Sequence, residues 1–312
     1  MADRPYHLAF QTAARRPRAM IVPPQPRPAR NHAEALQRLH SLARLDGAEI
    51  LEAARSAWLT TGSATRLAVV LLHGYTNNPA QYAAFAPQLH ARGVNVVIPR
   101  MPLHGYRDRM TTAIAGLTAD AVVAKTAEAL DIASGLGESV GVLGISMGGA
   151  LAALFAQYRA LSIAVPVAPD FALLRLSYGM TRALAWLTLR LPNAFLWWDP
   201  RDRAQHVPLT AYPRLSTHAL ARTLSIGDAV VDAAKRAPQC AKRIVALVNR
   251  ADPAVNNTAT ADVVRSWQKW RVKGAAFVEL TDLPRNHDIV SPDDPLARVD
   301  LVYPEMLRAL GV

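Results

Sequence analysis

Hydrophobic residues along the chain fall into short continuous runs, separated by longer stretches with helical spacing. The runs contain five or six residues rich in Val, Ile, Leu and Ala, a pattern typical of strands buried on both faces. They cover residues 67–72, 94–98, 140–145, 163–167, 244–248 and 275–280. Helical spacing occurs at about 79–91, 118–134, 147–160, 258–271 and 296–310. This alternation predicts an α/β protein with a mostly parallel sheet and helices on both faces.

Two segments depart from this alternation. Residues 170–226 contain bulky apolar side chains and several prolines, and we interpret them as a helical cap inserted over the sheet. Residues 31–60 precede the first predicted strand and carry leucines at helical spacing, with Asn31 as a candidate N-cap. They predict an N-terminal helical extension. The core is therefore expected over residues 61–169 and 227–312.

The first thirty residues form a third distinct segment, rich in arginine and proline. Prolines restrict regular secondary structure, so residues 1–30 are expected to form an extended or mobile arm. The segment lacks the apolar stretch of a secretory signal.

Glycines divide the longest uncharged stretch, residues 139–158, into strand, turn and helix, which argues against a membrane span. A cytoplasmic location is expected.

The net charge of +11 resembles that of a nucleic-acid-binding protein, but its distribution argues against one. Residues 1–30 hold six arginines and one aspartate, so +5 of the charge lies there and the other 282 residues carry +6. We expect no nucleic-acid partner, and at most weak contact of the arm with an anionic membrane surface.

The sequence does not indicate an oligomeric state. Cys240 is the single cysteine and has no ligand spacing beside it, so no metal site is expected.

The sequence Gly144-Ile145-Ser146-Met147-Gly148 is a G-x-S-x-G pattern between a predicted strand and a predicted helix. In that context the serine occupies a sharp turn that exposes its hydroxyl oxygen, and the glycines keep side chains out of the turn. Ser146 is therefore the candidate nucleophile. The alternative is an ordinary glycine-rich turn.

A negatively charged acyl-transfer intermediate needs backbone donors, and two candidates follow from the strand ends. Met147 follows the nucleophile, and Tyr75 lies in the loop after residues 67–72. Their N–H groups are the predicted oxyanion hole. His73 in the same loop is a conceivable general base, but a histidine in such a turn is more commonly a hydrogen-bonded structural residue.

The general base and its acid should follow Ser146 in the order acid, then histidine. His287 alone among the later histidines follows the last predicted strand. Asp252 follows the strand at 244–248 and is the candidate acid. The competing acids are Asp228, Asp282 and Asp288, the last two of which are expected to be loop acids or helix caps.

With these motifs, the chain resembles the α/β-hydrolases over roughly residues 64–311, and in particular the carboxylesterase, monoacylglycerol lipase and lysophospholipase group that includes serine aminopeptidase-like enzymes. The resemblance is carried by Ser146 and its glycines, Asp252, His287 and the segments Leu71–Thr76 and Pro99–Gly105. It implies the α/β-hydrolase fold and hydrolysis of a small-molecule ester without a cofactor. Where that group usually has Gly-His-Gly, this chain has Leu103-His104-Gly105.

The cap contains more large aromatic residues than an ordinary surface excursion. We take some of them, together with one loop histidine, as candidate substrate-binding residues that favour an apolar acyl or alcohol group. The candidates are His104, Trp186, Trp197, Trp198 and Tyr212. The alternative role is packing of the cap on the core.

Other functions are compatible with the same motifs. Thioesterase, amidase or peptidase, and acyltransferase activity would use the same triad. A non-catalytic ligand-binding protein on a hydrolase fold is the alternative to an enzyme.

Overall fold

A seven-stranded sheet forms the centre of the computed structural model, which describes residues 21–200, 211–270 and 274–312. The strands of the described ranges are β1 Ala57–Leu59, β2 Thr65–Leu72, β3 Asn95–Ile98, β4 Gly137–Ile145, β5 Ile163–Val167, β6 Phe195–Trp197, β7 Arg214–Ser216, β8 Ile244–Asn249 and β9 Ala275–Leu280. The α-helices are α1 His32–Ala43, α2 Ala86–His90, α3 Ala119–Ala133, α4 Met147–Tyr158, α5 Tyr178–Thr188, α6 Thr217–Arg236, α7 Asn257–Lys269 and α8 Val299–Leu310.

The strand order in the sheet is β1-β3-β2-β4-β5-β8-β9, and every neighbouring pair except β1 with β3 is parallel. Alternate residues of β2 point to opposite faces of the sheet. Val70 and Leu72 pack with α3, α4, α6 and α7 on one face, whereas Val69 and Leu71 pack with α2 and α8 on the other. The predicted mostly parallel sheet with helices on both faces is confirmed.

The N-terminal extension contains more than the predicted helix. The Asn31 side chain accepts a hydrogen bond from the Glu34 N–H (2.9 Å) and caps α1, as predicted. Residues 57–59, however, form β1, an antiparallel edge strand with Trp58 opposite Val97. Three residues are too few for a period of two to be recognised, so the sequence pattern missed this strand.

Residues 21–30 of the predicted arm contact the core. They form neither helix nor strand and contact α3, where the Ala29 N–H donates to the Asp131 carbonyl (2.8 Å) and the Arg27 N–H to its carboxylate (3.0 Å). Asp131 also pairs with Arg159 (2.5 Å). These bonds hold residues 21–30 on the core. Residues 1–20 of the arm lie outside the described residues.

The cap insertion follows β5 and consists of α5 and a two-stranded antiparallel sheet, β6 with β7. Its predicted boundary at residue 226 falls inside α6, because this helix continues from Thr217 to Arg236 and buries Ile226, Val230 and Ala234 in the core. Residues 201–210 of the predicted cap lie outside the described residues. In the part of the chain that the structure describes, every helix is too short or too polar to cross a membrane.

Candidate active site

Ser146 lies at the carboxyl end of β4, immediately before α4. Its backbone has φ 57° and ψ −117°, a conformation that non-glycine residues seldom adopt and that costs energy. Two hydrogen bonds hold it there: its N–H donates to the Val167 carbonyl of β5 (2.9 Å), and its carbonyl accepts from the Ala150 N–H of α4 (2.9 Å). The strand-turn-helix context predicted for Ser146 is therefore present.

The glycines on either side allow this turn to fit against the sheet. A Cβ atom on Gly148 would lie 2.0 Å from the Leu72 carbonyl oxygen, and one on Gly144 would lie 2.2 Å from the Gly148 carbonyl oxygen. Real Cβ atoms do not approach backbone oxygens so closely, and backbone cannot move aside as a side chain can. The end of β2 and the start of α4 can touch only because both positions are glycine.

The two segments that carry the predicted oxyanion donors adjoin Ser146. Met147 is the first residue of α4, where N–H groups have no partner within the helix and the helix dipole favours negative charge. The loop containing Tyr75 is also adjacent, since a Cβ on Gly74 would lie 3.6 Å from the Ser146 Cβ. The Tyr75 side chain is directed into the protein, where its hydroxyl donates to the Ser216 carbonyl and accepts from the Ser216 N–H, each at 3.0 Å.

His287 and Asp252 are in direct contact. Asp252 follows β8 and His287 follows β9, and His287 Nδ1 donates to Asp252 Oδ2 at 2.8 Å. The other carboxylate oxygen accepts from the N–H groups of Ala254 (2.7 Å) and Val255 (3.1 Å). Asp252 is thus buried with both oxygens satisfied, which holds its carboxyl group in one orientation.

The charges around His287 alter its proton affinity. Burial lowers the pKa of the imidazole, but the negative charge and hydrogen bond of Asp252, with smaller contributions from Asp288 and Asp170, raise the pKa above its ordinary value. The His287 side chain keeps 26% of its surface exposed. Protonated His287 is therefore favoured by three carboxylates, of which one is in direct contact.

A hydrogen-bonded network joins the His287 loop to the Gly74–Tyr75 loop. Asp288 Oδ2 accepts from the side-chain amides of Asn77 (3.0 Å) and Gln81 (2.9 Å). The amide oxygen of Gln81 in turn accepts from the Gly74 N–H (2.9 Å). Gln81 is buried, and its amide spans the two loops. Nothing in the sequence pattern distinguishes Gln81 from any other helical polar residue, so its role emerges only from the tertiary structure.

His73 has the structural role that its position in a turn favours. Its Nδ1 donates to the Gly74 carbonyl (2.9 Å) and its Nε2 accepts from the Met101 N–H (3.1 Å). Both ring nitrogens are therefore occupied within the loops that end β2 and β3. Burial holds the pKa of His73 well below its usual range, with a smaller effect from His104, so the ring is neutral.

His104 and Tyr212 belong to a buried aromatic group that packs the cap onto the core. The His104 ring stacks on Tyr212 (6.3 Å between centroids) and meets His73 edge-on (5.0 Å). Burial lowers the pKa of His104 to about 4. The Tyr212 hydroxyl donates to the Leu103 carbonyl (3.0 Å) and accepts from the Tyr106 N–H (3.1 Å). These contacts pack the two side chains between the cap and the core, and substrate contact by either of them stays a prediction.

The three cap tryptophans have different environments. Trp186 of α5 is 55% exposed, and the Arg190 guanidinium lies 3.4 Å from its ring centroid. Trp198 is also exposed, and its Nε1 donates to the Thr76 hydroxyl (2.9 Å). Thr76 is the residue after Tyr75. Trp197 is half-buried in β6. Substrate contact by these side chains remains a prediction.

Asp170, which the sequence patterns did not single out, lies beside the nucleophile. It follows β5, and its N–H donates to the Ser146 carbonyl at 3.3 Å. Its carboxyl group is buried, and Oδ1 has no hydrogen-bond partner among the described residues. Burial raises the pKa of Asp170 to about 7, although the positive charge of His287 partly opposes the shift. A Pro-Asp pair ending a buried strand is the sequence signal that could have indicated it.

The other acids considered as partners of His287 have separate positions. Asp228 of α6 is paired with Arg182 (3.2 Å), and Asp282 is exposed after β9. Asp288 accepts from the Val290 and Ser291 N–H groups in addition to Asn77 and Gln81. Over the described ranges, no group of three or more His, Cys, Asp or Glu side chains is arranged to hold a metal ion.

Comparisons with known proteins agree with this architecture. The model of a family described as the alpha/beta hydrolase family matches residues 69–308. A metagenome-derived lipolytic enzyme is similar in structure, with a TM-score of 0.63 and 19% sequence identity, covering 83% of this chain and 98% of that one. A search of curated proteins gives no significant match.

Two further solved structures share the fold. A soluble variant of monoglyceride lipase from Saccharomyces cerevisiae matches with a TM-score of 0.59 and 15% identity, covering 82% of this chain and 90% of that one. The monoacylglycerol lipase of Paleococcus ferrophilus matches with a TM-score of 0.57 and 20% identity, covering 82% and 97%. At these identities the likeness concerns the fold, and the predicted α/β-hydrolase fold is confirmed.

Proposed function

Because the chain belongs to the alpha/beta hydrolase family, we propose that it is a serine hydrolase of carboxylic esters with Ser146, His287 and Asp252 as its triad. The observation that carries this proposal is the 2.8 Å hydrogen bond from His287 to buried Asp252. Both residues follow parallel strands, as Ser146 does, so all three lie at the same edge of the sheet.

In the proposed reaction, the Ser146 hydroxyl oxygen attacks the ester carbonyl carbon. His287 Nδ1 is engaged by Asp252, which leaves Nε2 to accept the serine proton. Asp252 orients the ring and stabilises the imidazolium that forms. The carbonyl oxygen becomes an oxyanion, and in this proposal the N–H groups of Met147 and Tyr75 stabilise it.

The intermediate then collapses to an acyl-enzyme. The bond to the leaving alkoxide oxygen breaks, and that oxygen takes the proton from the His287 imidazolium to depart as an alcohol. A water molecule, deprotonated by His287, attacks the acyl carbon and releases the carboxylic acid and free Ser146. Every proton is carried by one histidine, so the proposed chemistry needs no cofactor.

The proposed substrate is a small ester with an apolar acyl or alcohol group. This class is supported by the apolar side chains of the cap, including half-buried Trp197 and Phe195 in β6. A series of p-nitrophenyl esters from acetate to octanoate tests it. We expect kcat/KM to rise with acyl length, and a monotonic fall from acetate onward would contradict the apolar preference.

The triad is tested by substitution at Ser146 and Asp252. Ser146→Ala should lower kcat/KM for a p-nitrophenyl ester by about 10,000-fold or more, because the nucleophile is lost. Asp252→Asn should lower it by about 10,000-fold, because the imidazole loses its charged partner. Ser266→Ala is the matched control, since half-buried Ser266 lies on α7 and its hydroxyl donates within that helix, to the Asp262 carbonyl. Ser146→Ala enzyme with undiminished turnover would contradict the proposal.

A further inference from the structure

Gln81 is a buried amide between two loops of the candidate active site. Its Oε1 accepts from the Gly74 N–H (2.9 Å), and its Nε2 donates to Asp288 Oδ2 (2.9 Å). A backbone N–H can only donate and an ionised carboxylate can only accept, so these partners fix the orientation of the amide. The bridge therefore needs one acceptor and one donor on the same side chain, which an amide supplies.

On one side, the bridge holds the loop of the predicted oxyanion donor Tyr75. Gln81 occupies the Gly74 N–H. The Gly74 carbonyl accepts from His73 Nδ1 (2.9 Å) and from the Asn77 N–H (3.2 Å). This carbonyl shares its planar peptide unit with the Tyr75 N–H, which points the opposite way. The hydrogen bonds on both sides of Gly74 therefore fix the direction of the Tyr75 N–H.

On the other side, the bridge reaches the residue next to the proposed general base. Asp288 follows His287, and its two carboxylate oxygens have different partners. Oδ1 accepts from two backbone N–H groups of its own loop, at 3.2 and 3.0 Å. Oδ2 accepts from the side-chain amides of Gln81 (2.9 Å) and Asn77 (3.0 Å). The carboxylate therefore fastens the His287 loop to the segment that carries Asn77 and Gln81.

We propose that Gln81 is a positioning residue whose amide holds the loop of Tyr75 against the loop of His287. This inference rests on the proposed function, in which the Tyr75 N–H stabilises the oxyanion and His287 moves the proton. Those two groups act on one tetrahedral intermediate, so an error in their relative position weakens both interactions. Gln81 acts through Gly74 and Asp288 and does not bind the substrate.

Asn77 gives the two loops a second connection. Its side-chain amide also donates to Asp288, but its amide oxygen accepts from the adjacent Asn78 N–H (3.0 Å), and its contact with Gly74 is made by the backbone. The side chain of Asn77 thus binds one loop, whereas that of Gln81 binds both. Loss of the Gln81 amide should therefore loosen the two loops without separating them.

Removal of the amide should affect kcat and not KM. Gln81→Met keeps the length of the side chain and removes both hydrogen bonds. It should lower kcat for a p-nitrophenyl ester by about 100-fold, as expected for a misplaced oxyanion donor. KM should stay within about threefold of the native value, because ground-state binding does not use the oxyanion contact. A purely structural role would lower stability and leave kcat of the folded protein unchanged.

Gln157→Met is the matched control. Gln157 is also a buried glutamine with both polar atoms bonded, since Oε1 accepts from Trp267 Nε1 (2.7 Å) and Nε2 donates to two backbone carbonyls (3.1 and 2.8 Å). It lies at the opposite end of α4 from Ser146. Its substitution should therefore lower the unfolding temperature but leave kcat within about twofold of the native value.

A reciprocal exchange of side chains tests the direction of the hydrogen bond. In Gln81→Glu the new carboxylate can still accept from Gly74 but faces the Asp288 carboxylate, so kcat should fall by about 100-fold. In Asp288→Asn an amide donor replaces one acceptor, and kcat should also fall. The double variant restores a donor facing an acceptor and keeps the net charge of Gln81→Glu lower by one. Its kcat should exceed that of Gln81→Glu by about tenfold.

Amide hydrogen exchange tests the connection without relying on turnover. The Gly74 N–H lies at one end of the bridge, and the N–H groups of Val290 and Ser291 lie at the other. In Gln81→Met, exchange followed by NMR should accelerate by about tenfold or more at both ends. In Gln157→Met it should accelerate at neither.

The outcomes separate this inference from the proposed function. Native protein without Ser146-dependent turnover would contradict the proposed function, and exchange at the two ends would still decide whether Gln81 joins the loops. Native turnover with unchanged kcat in Gln81→Met, or with an equal loss in Gln157→Met, would overturn the role of Gln81 alone. Exchange that accelerates at one end only, or at neither, would also overturn it. If Gln81→Met does not fold, a double variant no more active than Gln81→Glu overturns the inference.

Discussion

At the scale of single residues, environment distinguishes groups that are chemically alike. Asp252 and Asp170 are both buried aspartates at strand ends, yet Asp252 accepts three hydrogen bonds while Asp170 keeps an unpartnered oxygen. The sequence could indicate Ser146, Asp252 and His287 because their order and strand-end positions are local features. It could not indicate Asp170 or Gln81, since their contacts depend on elements far apart in the chain.

The nucleophile turn yields a prediction about two glycines. Gly148→Ala places a Cβ 2.0 Å from the Leu72 carbonyl oxygen, so it should lower the free energy of unfolding by about 3 kcal/mol or prevent folding. Gly179→Ala in α5 is the control, since the nearest atom to its Cβ would be 3.9 Å away. It should be neutral or stabilising by up to about 1 kcal/mol. Urea unfolding measures the free energy of unfolding of both variants. Equal effects would contradict the close approach of Gly148 to the Leu72 carbonyl.

At the scale of secondary-structure elements, long periodic segments could be predicted and short ones could not. The predicted strand runs correspond to β2, β3, β4, β5, β8 and β9, because each run is continuous and apolar. β1, β6 and β7 contain three residues each and owe their conformation to a neighbouring strand. The extent of α6 was also missed, since the sequence gives no sign that one helix serves both the cap and the core.

The N-terminal extension is joined to the core by a buried ion pair. Asp46 accepts from Arg100 Nε (2.6 Å) and from the Ser56 N–H (2.6 Å), and Arg100 also donates to the His104 carbonyl (3.0 Å). These contacts connect α1, β1 and the loop after β3. Residues 31–60 are therefore part of the folded domain and are not a separate appendage.

Removal of the Asp46 charge should consequently destabilise the whole domain. Asp46→Asn leaves the Arg100 guanidinium buried without its counter-charge, and we expect a loss of about 3 kcal/mol in the free energy of unfolding. Glu52→Gln removes the same kind of charge from an exposed pair with Arg55, which should cost less than about 1 kcal/mol. Denaturant titrations compare the two variants. Similar losses in both would indicate that the extension is not coupled to the core.

At the scale of the whole molecule, the apolar half of the composition is explained by the two hydrophobic layers that cover the sheet. Fold and family could be predicted because a strand-turn-helix motif with flanking glycines constrains its surroundings strongly. The cap residues that contact the substrate could not be predicted from the sequence. The exposure and packing of Trp186, Trp198 and Tyr212 follow from tertiary contacts. The basic arm and its partners remain predictions.

Covalent labelling of Ser146 tests the central claim most directly. A fluorophosphonate reacts with a serine only when a neighbouring base activates it, so intact-protein mass spectrometry should show about one adduct per chain. Peptide mapping should place that adduct on Ser146. His287→Ala protein should be labelled far more slowly and Ser146→Ala protein not at all. A native protein that resists the probe, or carries the adduct on another residue, would contradict the assignment of Ser146 as the nucleophile.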